Sequence, residues 1–85
     1  MRQLLLDIAP AGERLVAVGE SGRIFLSDDR GATWQVAAAP GEATLTAVYF
    51  HDERHGWAVG HDAMILRTED GGANWALVHQ APEEY

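Results

Sequence analysis

SDDRGATW at residues 27–34 returns as TEDGGANW at residues 68–75, 41 positions further along a chain of 85 residues. A short stretch repeated at a fixed distance is the mark of a repeat architecture, and it takes precedence over any other reading. Extended outward, the same offset pairs Leu4 with Leu45, the tripeptide Ala17-Val18-Gly19 with Ala58-Val59-Gly60, and Ile24 with Ile65. It also matches Asp29, Gly31, Ala32 and Trp34 to Asp70, Gly72, Ala73 and Trp75. Two units therefore fill the chain, residues 1–41 and 42–85, and the Pro-Gly pair inside AAPGEAT marks the connection between them.

Each unit alternates four short apolar runs with turn residues. In the first these are QLLLDIA, RLVAVG, RIFLS and TWQVAA; in the second, LTAVYF, GWAVG, MILRT and NWALVH. Runs of this length, rich in Val, Ile, Leu and aromatics and divided by Gly, Pro, Asp and Asn, read as strands joined by hairpins. The runs are nearly continuous in apolar character, as in Leu15-Val16-Ala17-Val18, which predicts sheets covered on both faces. A four-stranded antiparallel sheet recurring every 40 or so residues is a propeller blade, so the fold class is all-β with two four-stranded blades.

The repeated loop resembles the Asp-box, or bacterial neuraminidase repeat, in its S-x-D-x-G-x-T-W form. Ser27, Asp29, Gly31, Thr33 and Trp34 carry the first copy; Thr68, Asp70, Gly72, Asn74 and Trp75 carry the second, with asparagine where threonine is usual. The longer string GWAVGHDAMILRTEDGGANW, residues 56–75, is similar to the blade motif of the photosystem II stability/assembly factor-like propellers. The resemblance covers almost the whole chain. It implies that the box closes the hairpin between the third and fourth strands at the blade periphery, as a structural staple.

The residues support that reading independently. Short acidic side chains such as Asp29 and Asp70 accept hydrogen bonds from the backbone of their own turns. Gly31 and Gly72 supply positive φ, and Trp34 and Trp75 bring large apolar area to the next strand. Calcium is the competing occupant of an acidic loop, but it takes 6–8 oxygens and each box offers two carboxylates followed by tryptophan, so no metal is expected.

Thirteen acids against six bases, all of them arginine, give a net charge of −7, which disfavours nucleic acid and anionic membranes as partners. No cysteine is present, so disulfide and thiolate-metal chemistry are excluded and no cofactor is predicted. The N-terminal MRQLLLDIAP falls short of a secretory apolar region, and no stretch is long enough to span a bilayer. As it stands the chain reads as soluble, not addressed for export and hence cytoplasmic.

Catalysis finds little footing. His51 and His55 in HDERH have zinc-like spacing only on a helix, and here they link two strands. Sialidase chemistry, suggested by the Asp-box resemblance, needs clustered arginines and a tyrosine nucleophile paired with glutamate. Only Tyr49 and Tyr85 are available; Tyr49 is expected near the propeller axis, while Tyr85 ends the chain. The chain is read as a non-enzyme.

Loops carried by rigid blades are where propellers place function. The turns after the second strand of each unit, with Glu20, Arg23, His61 and Asp62, open opposite the Asp-boxes and are the candidate ligand-binding face. A carbohydrate-binding lectin needs an exposed aromatic beside polar groups, and Trp57, inside GWAVG, is expected in the core. A closed propeller takes 4–8 blades, and two leave bare apolar faces that monomers rarely tolerate. The expectation is a homo-oligomeric ring, a trimer of six blades or a tetramer of eight, acting as a scaffold that binds an unnamed protein partner.

Overall fold

The computed structural model describes residues 4–79. Eight strands run in chain order: β1 (Leu5–Ala11), β2 (Arg14–Gly19), β3 (Ile24–Ser27), β4 (Gln35–Val36), β5 (Leu45–Phe50), β6 (Gly56–Gly60), β7 (Ile65–Thr68) and β8 (Ala76–His79). They form two antiparallel four-stranded sheets, β1-β2-β3-β4 and β5-β6-β7-β8, each a simple meander. The all-β expectation of two four-stranded sheets holds, and the second, third and fourth elements of each unit fall within the apolar runs.

The turns follow from their residues. Between β2 and β3 two consecutive residues adopt left-handed backbone, Ser21 (φ 60, ψ 24) and Gly22 (φ 71). Between β6 and β7 they are Asp62 (φ 61, ψ 27) and Ala63 (φ 54). Two successive positive-φ residues are the type I′ geometry whose twist suits a hairpin. Glycine serves the second position without a steric cost; alanine bears one.

The paired glycines Gly19 and Gly60 have a different cause. Both are extended, and a Cβ on either would collide with a backbone carbonyl of the neighbouring first strand, Leu4 O for Gly19 and Thr44 O for Gly60. The first and second strands of each blade thus approach too closely for any side chain.

That contact also corrects the repeat register. Glu20 N–H donates to Leu4 O at 3.1 Å and His61 N–H to Thr44 O at 3.0 Å, so Leu4 corresponds to Thr44 and not to Leu45. Leu5 pairs with Gly19 as Leu45 pairs with Gly60, and each pairing is followed by a bulge. The first strands are therefore related by 40 residues and everything from β2 onward by 41. The extra residue sits in the longer hairpin between Phe50 and Gly56, where the first blade makes a tighter turn at Gly12.

The fourth strand of the first blade is shorter than TWQVAA suggests. Ala37 N–H still donates to Ile24 O at 2.8 Å, but Ala38 N–H turns to the other blade and donates to Ala73 O at 3.3 Å. The chain leaves its own sheet to reach the next one, so pairing stops at Val36.

Packing between the sheets follows the alternation of each strand. Val16, Val18, Ile24 and Leu26 of the first sheet are buried in one cluster with Leu45, Val48, Ala58, Leu66 and Trp75 of the second. Val16 and Leu26 close directly over Gly72, where an added Cβ would lie 3.2 Å from each of their methyl groups. Fully burying a Val, Leu or Ile side chain contributes about 1.5–3 kcal/mol, so this cluster is the main source of cohesion between the blades. Cover on both faces, predicted for every strand, is complete for β3 alone. The outward faces of the pair carry exposed Ile8, Val36, Tyr49 and Val78.

Candidate functional site

At one end of the pair lie the two repeated loops, and their hydrogen bonds are superimposable. Ser27 Oγ accepts the Gly31 N–H at 2.7 Å and donates to Asp29 Oδ1 at 2.8 Å. Asp29 in turn accepts Thr33 N–H at 2.9 Å and the Thr33 hydroxyl. In the second loop Thr68 Oγ1 accepts Gly72 N–H at 3.0 Å and donates to Asp70, which accepts Asn74 N–H at 3.0 Å. Asn74 Nδ2 donates to Asp70 Oδ2 at 3.0 Å, so the amide reproduces the contact that the Thr33 hydroxyl makes. Each indole closes its own loop, Trp34 onto Gly31 O at 3.1 Å and Trp75 onto Gly72 O at 2.7 Å.

Hydrogen bonds to the charged form set the acidity of these groups. The Thr33 hydroxyl and N–H hold Asp29 down to about 2. Asp70 is lowered chiefly by the Asn74 N–H and then by its side-chain amide. Both loops turn on positive φ, at Gly31 and Gly72, and the residue before each glycine is left-handed too: Arg30 (φ 62) in the first, Gly71 (φ 75) in the second.

Between the two loops runs a polar cleft of about 510 Å³ lined in part by Arg14, Asp28, Glu53 and Arg54. Arg14 spans it, with Nε donating to Asp28 Oδ1 at 2.8 Å and Nη1 to Gly71 O of the other blade at 3.3 Å. Gly71 N–H donates to Arg54 O at 2.9 Å, binding the long hairpin to the second loop. In that hairpin His55 does not pair with His51 through side chains; its Nδ1 lies 3.0 Å from Asp52. The His55 N–H, followed by that of Arg54, lowers Asp52 to about 2. Among the described residues no cluster of three metal-ligating side chains occurs.

The four candidate binding residues lie at the other end. Glu20, Arg23, His61 and Asp62 are all exposed. Glu20 has a local partner, its Oε1 accepting the Leu4 N–H at 3.1 Å. No hydrogen bond or ion pair engages the side chains of Arg23, His61 or Asp62 among the described residues. The turn bearing Arg23 abuts the inter-blade connection, and a second cavity of about 440 Å³ opens there against Gly41 and Glu42.

Trp57 departs from its expected place. It is half-buried on the outward face of β6 and stacks on Tyr49 with ring centroids 6.2 Å apart. Its cross-strand neighbour on the other side is Arg67, which pairs with Glu69 at 3.0 Å. The reason is parity: Ala58 faces the other blade, so Trp57 must face away from it. Tyr85 and residues 1–3 lie outside the described residues.

Two groups escaped the sequence reading. Asp7 lies within an apolar strand and its Oδ2 accepts the Val48 N–H of the other blade at 2.9 Å. Arg14 holds the cleft. The signal for Asp7 was a lone acid in LLLDIA, since a carboxylate drawn from water needs a partner.

The family model for the photosynthesis system II assembly factor YCF48 matches residues 33–84, more than half of the chain. The chain belongs to the YCF48 family. A relative in Cyanidioschyzon merolae, the chloroplastic photosystem II stability/assembly factor HCF136, is 35% identical over 80 residues, covering 87% of this chain and 18% of its own. The Parasynechococcus marenigrum photosystem II assembly lipoprotein Ycf48 is 48% identical over 42 residues, 49% of this chain and 13% of its own. A solved structure of YCF48 bound to D1 peptide superposes on 98% of this chain and 28% of that one with a TM-score of 0.82 at 24% identity. YCF48 from Cyanidioschyzon merolae superposes with a TM-score of 0.79 at 27% identity, over 96% of this chain and 26% of that one.

The chain thus spans less than a fifth of the length of the curated relatives. Their names describe assembly factors, chloroplastic in one case and lipoproteins in others, whereas the sequence alone predicted an unaddressed cytoplasmic chain. No helix among the described residues is long and apolar enough to cross a membrane.

Proposed function

We propose that this protein is a non-enzymatic propeller module that holds a segment of a protein partner during assembly. Membership of the YCF48 family carries the reading, because the relatives are named as assembly factors. The solved YCF48 bound to D1 peptide supports a peptide segment as the class of partner proposed for this chain. The loop face of Glu20, Arg23, His61 and Asp62 is the proposed contact, with the Asp-boxes as staples at the opposite end. Titration of a fluorescently labelled D1 peptide tests it. Saturable binding weakened by Arg23→Glu and His61→Glu supports the assignment, and no binding to the folded protein refutes it. Turnover of a fluorogenic sialoside, abolished by Tyr49→Phe, would overturn the non-enzymatic assignment.

The bare outward faces support self-association as the second part of the proposal: three copies give a six-bladed ring and four an eight-bladed one. Light scattering of the purified chain decides between a monomer and these assemblies.

One observation favours a second reading, a carbohydrate-binding lectin. The Tyr49–Trp57 stack beside the Arg67–Glu69 pair is an exposed aromatic platform next to polar groups. Specific hits on a glycan array, lost in Trp57→Ala, would favour it.

A further inference from the structure

The chain contains one Asp-Gly step, Asp70-Gly71, and no Asn-Gly. A carboxyl group followed by glycine is prone to rearrange, because no side chain on the glycine shields its amide nitrogen. That nitrogen attacks the Asp70 Cγ, a C–N bond forms, and the carboxyl hydroxyl leaves with the amide proton as water. The resulting five-membered succinimide takes water back. Opening at Cγ restores aspartate; opening at the main-chain carbonyl leaves the chain running through the side chain, as isoaspartate of unchanged mass. No oxidant or cofactor takes part.

The first loop has no such step, since Arg30, exposed and left-handed at φ 62, stands where the second has Gly71. Gly71 is buried, with φ 75, and the long hairpin between β5 and β6 lies against it. An added Cβ would sit 3.1 Å from Glu53 O and 3.5 Å from Arg14 Nη1. Docking of the hairpin thus demands glycine and creates the vulnerable step. The same docking closes it. Gly71 N–H donates to Arg54 O at 2.9 Å, which engages the nucleophile. On the other side Asn74 N–H and Nδ2 hold Asp70 Oδ1 and Oδ2, each at 3.0 Å. These bonds favour the ionised carboxylate, which has no hydroxyl to lose.

The two restraints are anchored differently. The partners of the carboxylate lie within its own loop, whereas Arg54 belongs to a hairpin tip whose residues 51–54 are all exposed. The shape of that tip depends on Asp52, whose Oδ1 accepts Arg54 N–H at 2.8 Å and His55 N–H at 2.7 Å. Exposed segments with few apolar contacts open at a fraction of the free energy of global unfolding.

We propose that Asp70-Gly71 is a latent isomerisation site, held shut by the Arg54 carbonyl, and that lifting of the β5–β6 hairpin opens it while the two sheets remain folded. Isoaspartate there adds a methylene to the backbone of the second loop and displaces Gly71 O, which accepts from Arg14 across the blades. The altered chain becomes a substrate of the isoaspartyl O-methyltransferase class, which esterifies the freed α-carboxylate.

Trypsin cuts after Arg67 and releases residues 68–85, in which Asp70 is the sole aspartate. The isoaspartyl form of that peptide separates by chromatography at identical mass. Full-length wild type, Asp52→Ala and Asp7→Ala are aged in native buffer, and wild type also in urea. Unfolded wild type should accumulate isoaspartate at residue 70, and folded wild type much less. Asp52→Ala should raise the folded-state rate roughly three- to tenfold, the weight of one backbone hydrogen bond in a local opening. Asp7→Ala weakens the junction without touching the hairpin and should leave the rate within about twofold. An unchanged rate in Asp52→Ala would overturn the hairpin gate, as would equal acceleration by both variants in step with their urea midpoints. An unfolded chain that forms no isoaspartate would overturn the site itself.

Discussion

Asp7 Oδ2 of the first blade accepts the backbone N–H of Val48 in the second at 2.9 Å, and this bond ties the two inner strands β1 and β5. Val48 is 8% exposed, so its N–H has little access to water if the carboxylate is removed. Asp7→Ala should therefore destabilise the chain by about 2 kcal/mol, the scale for a partly buried donor that loses a charged acceptor. Asp7→Asn keeps an acceptor oxygen and should recover at least half of that loss. Urea unfolding of the three proteins measures both.

Thr68 is 1% exposed, and its hydroxyl both accepts the Gly72 N–H and donates to Asp70. Thr68→Val preserves shape and strands these partners, at a cost of about 2 kcal/mol. Asn74→Ala removes a single exposed side-chain bond and should cost about 0.5 kcal/mol. Asn74→Thr, which restores the residue of the first loop, should be close to neutral. The ranking is read from thermal midpoints.

Ala63 adopts φ 54 at the position that Gly22 fills in the first blade. Left-handed backbone costs a residue with a Cβ about 1–2 kcal/mol, and glycine's greater freedom in the unfolded chain offsets about 0.5–1 kcal/mol of the relief. Ala63→Gly should accordingly stabilise by about 0.5–1 kcal/mol. The converse, Gly22→Ala, should be destabilising by more than that, since its Cβ would also lie 2.9 Å from Gly41 O.

Acid should loosen the loops in a defined range. Asp29 and Asp52 titrate near 2 in the folded protein, below the ordinary carboxylate value of 3.8. A carboxylate held low in the folded state contributes stability that is present in full above its unfolded value and disappears as pH falls through the folded one. Urea midpoints should stay level in this respect from pH 7 to about 5 and decline between about pH 4 and 2. Thr33→Ala removes the leading cause of the Asp29 shift and should shrink that decline.

Strands and box loops were legible because local chemistry determines them: β-branched runs between Gly, Asp and Asn leave few alternatives. The hairpin after β2 was legible for the same reason. What lay beyond the sequence was relational. Matching Leu4 to Leu45 rewards identity, yet strand register is set by the bonds at Leu4 O and Thr44 O, which lie one position apart from that match. Trp57 reads as core by its apolarity, and its exposure depends on which neighbour, Ala58 or Trp57, points at the other blade. Of the site, the two loops could be named residue by residue. Arg14 could not, because its partners Asp28 and Gly71 lie 14 and 57 residues away and meet only once the blades have stacked.

The extra residue in the hairpin between Phe50 and Gly56 bears on how such chains can be recombined. A chimera spliced inside β1 and β5 by aligning Leu4 with Leu45 would be one residue out of frame. Every side chain of that strand would then point to the wrong surface of the sheet. From β2 and β6 onward the two numberings stay in step, and Gly19 and Gly60 are required at the same place for the same reason. Those glycines are the seams at which one blade can be exchanged for another.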